Sequence, residues 1–338
     1  AFVWIQDYHL ALLPRMLKER SPKQFMTAHF WHIPWPAYEV FRICPQKEEI
    51  LHGLLANDLL GFHIRYHCQN FIDCVDRTVV CRIDREKDSI LEDGRETLVR
   101  TYPISIDYQS LADLAESKEV KAARTALSNE YGLKGKKVIV GLERIDYTKG
   151  IPERLLAYDL FLEKHPEWRG KVVFLLMGLL SRTHIDEYKH LNDEINKIIE
   201  EVNWKHGTDG WSPVIFARRH LTFQELVALY RLGDVCVVSS LHDGMNLVAK
   251  EYLTACPPEK AALVLSLFTG ASRELEEALL VNPYDRVACA EAMEKALSFP
   301  EEERRRRNEK MRSVVARNNI FRWAGRTLTD LFRMEFAE

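Results

Sequence analysis

The chain has 338 residues, of which 46% are hydrophobic and 29% are charged, and its formal net charge is -3 at pH 7. This length suits two domains of ordinary size, and the composition is that of a globular protein. The near-neutral charge gives no global attraction to nucleic acid or to an anionic membrane, so we expect neither as a partner. No stretch approaches the run of about 18 apolar residues that is typical of a membrane-spanning helix.

The seven cysteines are scattered and include no C-x-x-C pair. An odd, dispersed set argues against a disulfide framework, so we expect reduced thiols and a cytoplasmic protein. The sequence begins with a predicted strand at residues 1–5 and has no initiator Met. We therefore expect that a natural N-terminal part is missing. The sequence leaves the oligomeric state open, and a homo-oligomer is compatible with it.

In the first part of the chain, short apolar runs alternate with amphipathic segments, which predicts an α/β domain. Pro14 predicts a kink or a late start in the first helix, and residues 81–96 are typical of a polar hairpin or an exposed connection. The predicted strands are residues 2–5, 25–31, 58–63 and 97–106, with helices that end near residues 20, 57 and 79.

Around residues 107–118 the sequence becomes polar and charged and predicts a helix, and we place the domain junction there. We predict a partial N-terminal domain at residues 1–112, a C-terminal domain at 113–318, and a final helix at 319–338 that packs back on the first domain. The predicted strands of the C-terminal domain are residues 137–142, 172–177, 214–217, 235–238, 262–267 and 279–281.

Helices follow these strands, so the pattern predicts two Rossmann-like domains with doubly wound parallel sheets. Two helices have capping boxes, at Thr183-x-x-Asp186 and Thr222-x-x-Glu225. We expect another helix to open at Gly270. The run EEERRRR at residues 301–307 predicts a solvated helix with Glu-to-Arg pairs.

The stretch from Val235 to Leu253 combines a buried strand, a His242-Asp243-Gly244 turn and a helix that begins near Asn246. The first N–H groups of a helix are unpaired and its dipole is positive there, so this arrangement is suited to an anion. Glu251 lies one turn beyond Leu247 and can face the same ligand. Asp243 stands at the carboxyl end of the strand, where ligands of open α/β sheets bind.

A second polar cluster, from Glu143 to Gly150, directly follows the predicted strand at 137–142. Arg144 and Lys149 could neutralise a diphosphate without a metal, although a surface loop with ion pairs is an equal alternative. Arg182 is a third cation at the same predicted edge. Together with Asp243, these cations favour a ligand that is both phosphorylated and polyhydroxylated.

Other candidate residues are weaker. His32 follows a strand in the rigid sequence His32-Ile33-Pro34-Trp35-Pro36, so its main-chain carbonyl could be a fixed acceptor. His63 and His67 have a spacing compatible with zinc, but no third ligand is evident. The absence of G-x-G-x-x-G, of a P-loop and of G-x-S-x-G argues against a dehydrogenase, a kinase and an α/β-hydrolase.

Seven segments carry a family resemblance: WIQDYHLALLP, FWHIPWPAYEVFR, NDLLGFH, GLERIDYTKG, HDGMNLVAKEY, VLSLFTGASREL and VNPYDR. In this order they resemble the trehalose-6-phosphate synthases, which are retaining glycosyltransferases of the GT-B architecture. The resemblance covers most of the chain. It implies a nucleotide sugar on the C-terminal domain and glucose 6-phosphate in a cleft between two domains.

The resemblance also implies how the donor nucleotide is held. Arg144 and Lys149 would bind the diphosphate and stabilise the departing nucleotide. Leu247 and Val248 would line the diphosphate and ribose region, and Glu251 would accept hydrogen bonds from the ribose hydroxyls.

For the transferred glucose, the resemblance points to Asp243 and to the backbone of Gly244, Met245 and Asn246. His32 would contact the same sugar, largely through its main-chain carbonyl.

On the acceptor side, the resemblance implies that Asp7 touches the sugar and that Arg182 binds its 6-phosphate. It also implies that neither a metal nor another cofactor is needed, because the leaving phosphate assists attack on the same face of the sugar. The cations found here fit that chemistry, as does the lack of a paired-carboxylate arrangement.

The chain departs from the family pattern in two ways. The family's Gly-rich loop and several acceptor-binding residues, which precede WIQDYHL, are not in this sequence, so we expect this chain to hold a donor better than it completes transfer. His242 stands where many members have Arg, and Trp31 and Trp35 replace the commoner Leu and Phe. These changes leave the donor base and the acceptor open.

We therefore predict a retaining glucosyltransferase that converts a nucleotide-glucose, UDP-glucose first among them, and glucose 6-phosphate into trehalose 6-phosphate. One alternative is a glucosylglycerol-phosphate synthase, which would use glycerol 3-phosphate. Another is a non-catalytic regulatory subunit of a trehalose-synthesis complex. The complete set of Arg144, Lys149, Asp243 and Glu251 argues against that last alternative. No DxDx(T/V) phosphatase signature is present.

Overall fold

The computed structural model describes residues 2–20, 25–179 and 185–335. Two predicted features, the candidate ligand Arg182 and the helix cap at Thr183, lie outside these residues. Within the described ranges, no helix combines the length and the apolar character that a membrane crossing requires.

The chain forms two compact units. The first unit comprises Ala1–Ile104 and Ile320–Glu338, and the second unit comprises Ser105–Asn319. The first unit ends before the junction predicted at residue 112, because helix α5 (Tyr108–Ala115) packs against helices of the second unit.

A six-stranded sheet forms the centre of the first unit, with the spatial order β1-β2-β3-β6-β5-β4. Neighbours among β1, β2, β3 and β6 are parallel, whereas β4, β5 and β6 form an antiparallel meander. Residues 81–96 are therefore a hairpin, one of the two predicted alternatives, and they extend the edge of the sheet. The strands are β1 (Phe2–Gln6), β2 (Met26–Phe30), β3 (Leu59–Phe62), β4 (Arg82–Asp84), β5 (Ser89–Glu92) and β6 (Arg95–Thr101).

Helices cover this sheet and include the last helix of the chain. Pro14 lies in the first turn of α1, where a backbone N–H would have no partner within the helix. The helix therefore starts late, and Pro14 does not kink it. The helices are α1 (Leu13–Arg20), α2 (Tyr38–Phe41), α3 (Lys47–Leu55), α4 (Arg65–Asp76) and α13 (Ile320–Glu335).

The final helix, α13, contributes to the core of the first unit. Leu331 is fully buried in a cluster with residues of β2 and β3. The rings of Trp323 and Trp4 lie 4.9 Å apart. The Tyr102 hydroxyl donates to Oδ2 of Asp330 at 2.6 Å. Apolar packing and a hydrogen bond thus both attach α13 to this sheet.

The second unit contains an entirely parallel sheet with the order β12-β11-β10-β7-β8-β9. This is the doubly wound order, in which the chain moves outward from the centre twice. The prediction of two Rossmann-like α/β domains is confirmed. The strands are β7 (Lys137–Arg144), β8 (Val172–Leu179), β9 (Val214–Ala217), β10 (Val235–Val238), β11 (Ala262–Ser266) and β12 (Leu279–Val281).

The helices of the second unit follow the predicted alternation with one difference. The capping box of Thr222 and Glu225 is present. Residues Gly270–Arg273, however, form a single 3-10 turn and not a helix. The helices after α5 are α6 (Lys118–Glu130), α7 (Ile151–Lys164), α8 (Asp186–His206), α9 (Phe223–Leu232), α10 (Leu247–Ala255), α11 (Arg286–Ser298) and α12 (Glu301–Arg317).

The EEERRRR run at the start of α12 is only partly solvated. The predicted pairs of Glu301 with Arg305 and of Glu303 with Arg307 are present. Arg304, in contrast, is only 5% exposed and donates to main-chain carbonyls that include that of Asp234. A guanidinium has five donors and can satisfy several carbonyls at once, so this residue ties α12 to the loops before β10 and β11.

Candidate functional site

The candidate site lies at the point of the second sheet where the strand order reverses, between β7 and β10. Strands β7 and β10 are neighbours, yet their connections run toward opposite edges of the sheet. The loops that leave their carboxyl ends diverge and leave a crevice, which is the usual ligand position in open α/β sheets. Both polar clusters found in the sequence follow these two strands.

Hydrogen bonds join the two loops directly. The Leu241 N–H donates to the carbonyl of Thr148 at 2.7 Å. The Ser239 hydroxyl lies 2.9 Å from the carbonyls of both Lys149 and Gly150. The loop after β10 therefore fixes the backbone that carries Lys149.

Gly150 allows this close approach. Its φ is 62°, in the left-handed region, and a Cβ there would lie only 2.3 Å from the Ser239 carbonyl oxygen. Any side chain would therefore be both strained and in collision with the neighbouring loop. The glycine brings the end of the Lys149 turn against the loop after β10.

Asp243 accepts three side-chain donors on one carboxylate oxygen. Lys149 Nζ lies 2.7 Å from Oδ2, Asn246 Nδ2 lies 3.1 Å away, and the Ser240 hydroxyl lies 3.2 Å away. Within the described part of the chain, no group donates to the other oxygen, Oδ1. That oxygen remains available to accept from a ligand hydroxyl.

Helix α10 begins beside this carboxylate. Asn246 is its N-cap, with φ 81°, and its side-chain oxygen accepts from the Ala249 N–H at 3.0 Å. Among the described residues, none accepts from the main-chain N–H groups of Leu247 and Val248. These donors and the positive end of the helix dipole form an anion-binding end next to Lys149.

The turn between β10 and α10 is held from behind by the segment after β11. The Met245 carbonyl accepts from the Ala271 N–H at 2.8 Å. Met245 is buried, and the Gly244 carbonyl lies only 2.1 Å from where a Cβ on Gly270 would be. The Gly270 segment, a turn and not the predicted helix, is thus packed directly against the backbone of residues 244 and 245.

Glu251 lies deeper along α10 and is half-buried. The hydroxyl of Tyr230, on α9, donates to its Oε2 at 2.6 Å. Burial raises the pKa of the Glu251 carboxyl, and the Tyr230 hydroxyl offsets part of that rise by bonding the charged form. Tyr230 could not be predicted as this partner from the sequence, because it lies on a helix that carries no site motif.

The remaining residues of the Glu143–Gly150 cluster have different roles. Glu143 forms a buried ion pair with Arg154 of α7, so it supports the loop and is not free. Arg144 is exposed, and no described residue pairs with it. Of the predicted cations, Lys149 and Arg144 therefore both lie at the carboxyl end of β7, but only Lys149 is held in a fixed position.

In the first unit, Asp7 has an unusual backbone. Its φ of 66° and ψ of 169° fall in a region that is essentially restricted to glycine. Its carboxylate accepts from the Tyr8 N–H at 2.9 Å, and its carbonyl accepts from Nε2 of the buried His29. Burial lowers the pKa of His29 to about 4, so the ring is a neutral donor that fixes the Asp7 backbone.

His32 is held at both its side chain and its main chain. Its Nε2 donates to the Gln6 amide oxygen at 2.7 Å, and its carbonyl accepts from Nε2 of His63 at 3.0 Å. Burial lowers the pKa of His32. The carbonyl is therefore a fixed acceptor, as the Pro-rich context predicts, and its second lone pair can still bind a ligand.

The bond from His63 to the His32 carbonyl uses Nε2 of His63, one of the two histidines of the zinc interpretation. Across residues 2–20, 25–179 and 185–335, no group of three or more His, Cys, Asp or Glu side chains is arranged to hold a metal ion.

Comparison with known proteins gives one consistent family. The family model for glycosyltransferase family 20 matches residues 1–333. The UDP-forming α,α-trehalose-phosphate synthase 56 kDa subunit of Kluyveromyces lactis is 37% identical over 336 residues, which are 98% of this chain and 68% of the relative.

Solved structures agree with this result. An E. coli structure bound with UDP-2-fluoro glucose has a TM-score of 0.92 and 35% identity, and the match covers 98% of this chain and 72% of that one. A UDP-forming α,α-trehalose-phosphate synthase from Burkholderia xenovorans, in complex with glucose-6-phosphate, has a TM-score of 0.93 and 32% identity over 98% of this chain and 73% of that one.

Proposed function

The chain belongs to glycosyltransferase family 20, and from that premise we propose that it moves glucose from UDP-glucose to glucose 6-phosphate with retention, giving trehalose 6-phosphate. The two ligands are those of solved relatives, one bound with a UDP-glucose analogue and one with glucose-6-phosphate. The observation that carries the proposal is the convergence of Lys149, Asp243 and the start of α10 at the switch point of the second sheet.

In this proposal, the donor diphosphate lies between Lys149 and the N–H groups of Leu247 and Val248. Arg144 is exposed and has no partner among the described residues, so its guanidinium is available to bind the same phosphates. Charge-assisted bonds from both side chains would stabilise the negative charge that develops on the departing UDP. Glu251 would accept from the ribose hydroxyls.

Asp243 would hold the transferred glucose through Oδ1, the oxygen that the described residues leave unused. The main chain of Gly244, Met245 and Asn246 would line the same sugar. Lys149 and Asp243 are paired at 2.7 Å. Donor binding would therefore place the lysine between the carboxylate and the incoming phosphate.

For the acceptor, we propose that Asp7 contacts the sugar and that Arg182 binds its phosphate. The acceptor hydroxyl would attack C1 of glucose on the face from which UDP leaves. The C1–phosphate oxygen bond breaks as the new C1–O bond forms, and the hydroxyl proton passes to the departing phosphate. Two protein cations supply the charge stabilisation, so we expect no metal or other cofactor.

We further propose a cytoplasmic location. All seven cysteines are free thiols, and five of them are buried. Scattered reduced thiols are typical of a reducing compartment.

Calorimetric binding of UDP and UDP-glucose tests the donor site. We expect Lys149→Ala to weaken both ligands several-fold or more, because it removes a phosphate contact. Asp243→Ala should reduce the affinity for UDP-glucose to about that for UDP and leave UDP binding intact, since this carboxylate faces the sugar and its loss frees Lys149.

Two results would contradict these assignments. Unchanged affinity in Lys149→Ala would exclude its role at the diphosphate, and loss of UDP binding in Asp243→Ala would make that residue structural. Mass spectrometry of the products formed with glucose 6-phosphate or with glycerol 3-phosphate then identifies the acceptor.

A further inference from the structure

A polar groove lies at the amino ends of the strands of the second sheet, whereas the proposed donor site lies at their carboxyl ends. It has a volume of about 640 Å³ and is formed by the end of α6, the loop into β7, and the segments just before β10 and β11. Strands β7 and β10 thus begin at this groove and end at the donor site. No role in the proposed transfer falls on its residues.

The groove carries an excess of positive charge. Five cationic side chains line it against a single carboxylate, and pockets of this size accept small organic ligands. The charged lining residues are Arg124, Lys134, Lys136, Lys137, Lys260 and Asp234.

The one carboxylate is already used. Lys137 Nζ lies 3.0 Å from Oδ1 of Asp234, and the Val138 N–H donates to Oδ2 at 2.9 Å. Lys136 donates to the Gly170 carbonyl. Asp234 therefore pairs with Lys137, and a single carboxylate cannot balance the charge of all five cations.

Lys260 is fixed at the back of the groove. Its Nζ donates to the carbonyls of Arg231 and Leu232, at 2.9 and 2.7 Å. Burial lowers the pKa of Lys260, the charge of Asp234 raises it, and the charges of Arg124 and Lys137 lower it. The cations are thus close enough to repel one another, and a bound anion would relieve that repulsion.

Arg124 and Lys134 are the two cations that remain available. Both are exposed, and neither has a partner among the residues that the structure describes. One lies on the last turns of α6 and the other on the loop into β7, so they approach the groove from adjacent segments. Leu133, Val138 and Leu232 supply an apolar wall beside them.

We propose that this groove binds a small phosphorylated organic anion, with Arg124 and Lys134 holding its phosphate and the apolar wall contacting its carbon skeleton. Arginine and lysine are the usual phosphate ligands in proteins. The site is separate from the donor site and does not depend on the proposed transferase function.

Calorimetry with ribose 5-phosphate as the probe tests this proposal, with UDP present in excess so that the donor site is filled. A parallel titration uses inorganic phosphate. We expect the double variant Arg124→Ala, Lys134→Ala to bind ribose 5-phosphate about tenfold more weakly or worse, because both charge-assisted contacts are lost. The matched control is Lys118→Ala, Lys121→Ala, which removes two exposed cations from the same helix outside the groove.

The proposal stands if the groove variant loses affinity and the control variant does not. It is overturned if ribose 5-phosphate does not bind, if the two double variants lose affinity equally, or if inorganic phosphate binds as tightly as ribose 5-phosphate. All four substitutions are at exposed positions, and circular dichroism of each variant verifies the fold. Because groove and control variants are compared directly, the result is independent of whether UDP fills its own site.

Discussion

At the scale of single residues, Asp7 combines a strained backbone with a side chain proposed to contact the acceptor. Its φ and ψ of 66° and 169° lie where residues with a Cβ pay about 1–3 kcal/mol. The carbonyl bond from His29 holds this conformation in place. Strain of this kind is common at ligand-binding residues, where the surrounding structure imposes it.

We predict that Asp7→Gly is more stable than Asp7→Ala by about 1–2 kcal/mol, because only glycine adopts this backbone without strain. Both variants lose the same carboxylate, so they should lose acceptor binding equally. Urea denaturation gives the free energies of unfolding, and calorimetry with glucose 6-phosphate gives the binding. Equal stability of the two variants would show that the backbone relaxes when the side chain is removed.

Glu251 makes the stability of the protein depend on pH. Its raised pKa means that the folded protein holds the carboxyl proton more tightly than the unfolded chain does. Stability therefore falls as the pH rises from the ordinary value of 4.5 through the folded pKa. The Tyr230 hydroxyl limits this loss, since it donates to the charged carboxylate.

We predict that Tyr230→Phe lowers the free energy of unfolding by about 1–3 kcal/mol at neutral pH and by less near pH 5, where more of the Glu251 carboxyl is protonated. The control is Tyr158→Phe, which removes a hydroxyl that donates to the Pro213 carbonyl at 3.2 Å, a partner that does not titrate. Urea denaturation across this pH range distinguishes the two variants. A pH-independent loss in Tyr230→Phe would mean that Glu251 does not set the effect.

At the scale of secondary-structure elements, the loops after β7 and β10 act as one unit because Gly150 lets them touch. Gly150 and Gly132 have nearly the same φ, 62° and 61°, but a Cβ on Gly132 would meet no atom within 4 Å. Substitutions at these two glycines therefore distinguish the cost of backbone strain, which both share, from the cost of a steric clash, which only Gly150 has.

We predict that Gly132→Ala costs about 1–2 kcal/mol of stability, from strain alone, and that Gly150→Ala costs more. Only Gly150→Ala should also weaken UDP-glucose binding, because the displaced turn carries Lys149. Thermal unfolding and calorimetry measure the two effects. Equal stability losses, or unchanged binding in Gly150→Ala, would contradict the close contact.

The same loops show what the sequence could predict about the site. Lys149 and Asp243 each follow an apolar strand, so their position at carboxyl ends could be predicted from local pattern alone. Their contact depends on β7 lying next to β10, which only the topology of the whole sheet decides. Tyr230 and the backbone packing at Gly270 could not be predicted, since neither has a local sequence signal.

At the scale of the whole molecule, the first unit is built from both ends of the chain. Helix α13 supplies Leu331 to its core, and Leu331 is fully buried whereas Leu328 on the same helix is 38% exposed. The sequence predicted that the final helix packs on the first domain, and the contacts of Trp323 and Leu331 show which of its side chains do so.

We predict that Leu331→Ala destabilises the first unit by about 2–5 kcal/mol, the cost of a buried cavity, whereas Leu328→Ala has a much smaller effect. UDP binding at 25 °C should be unchanged in both variants, because the proposed donor contacts to the nucleotide lie in the second unit. Differential scanning calorimetry measures the stability. Equal effects of the two substitutions would show that α13 does not bury Leu331 in this core.

This arrangement also fixes an order of events during translation. The second unit is one continuous segment, Ser105–Asn319, and α13 follows it in the chain, so the whole second unit is synthesised before α13. The core of the first unit therefore stays incomplete until α13 has been synthesised. A nonsense mutation at the start of α13 would therefore leave the second unit intact and deprive the first unit of the helix that completes its core.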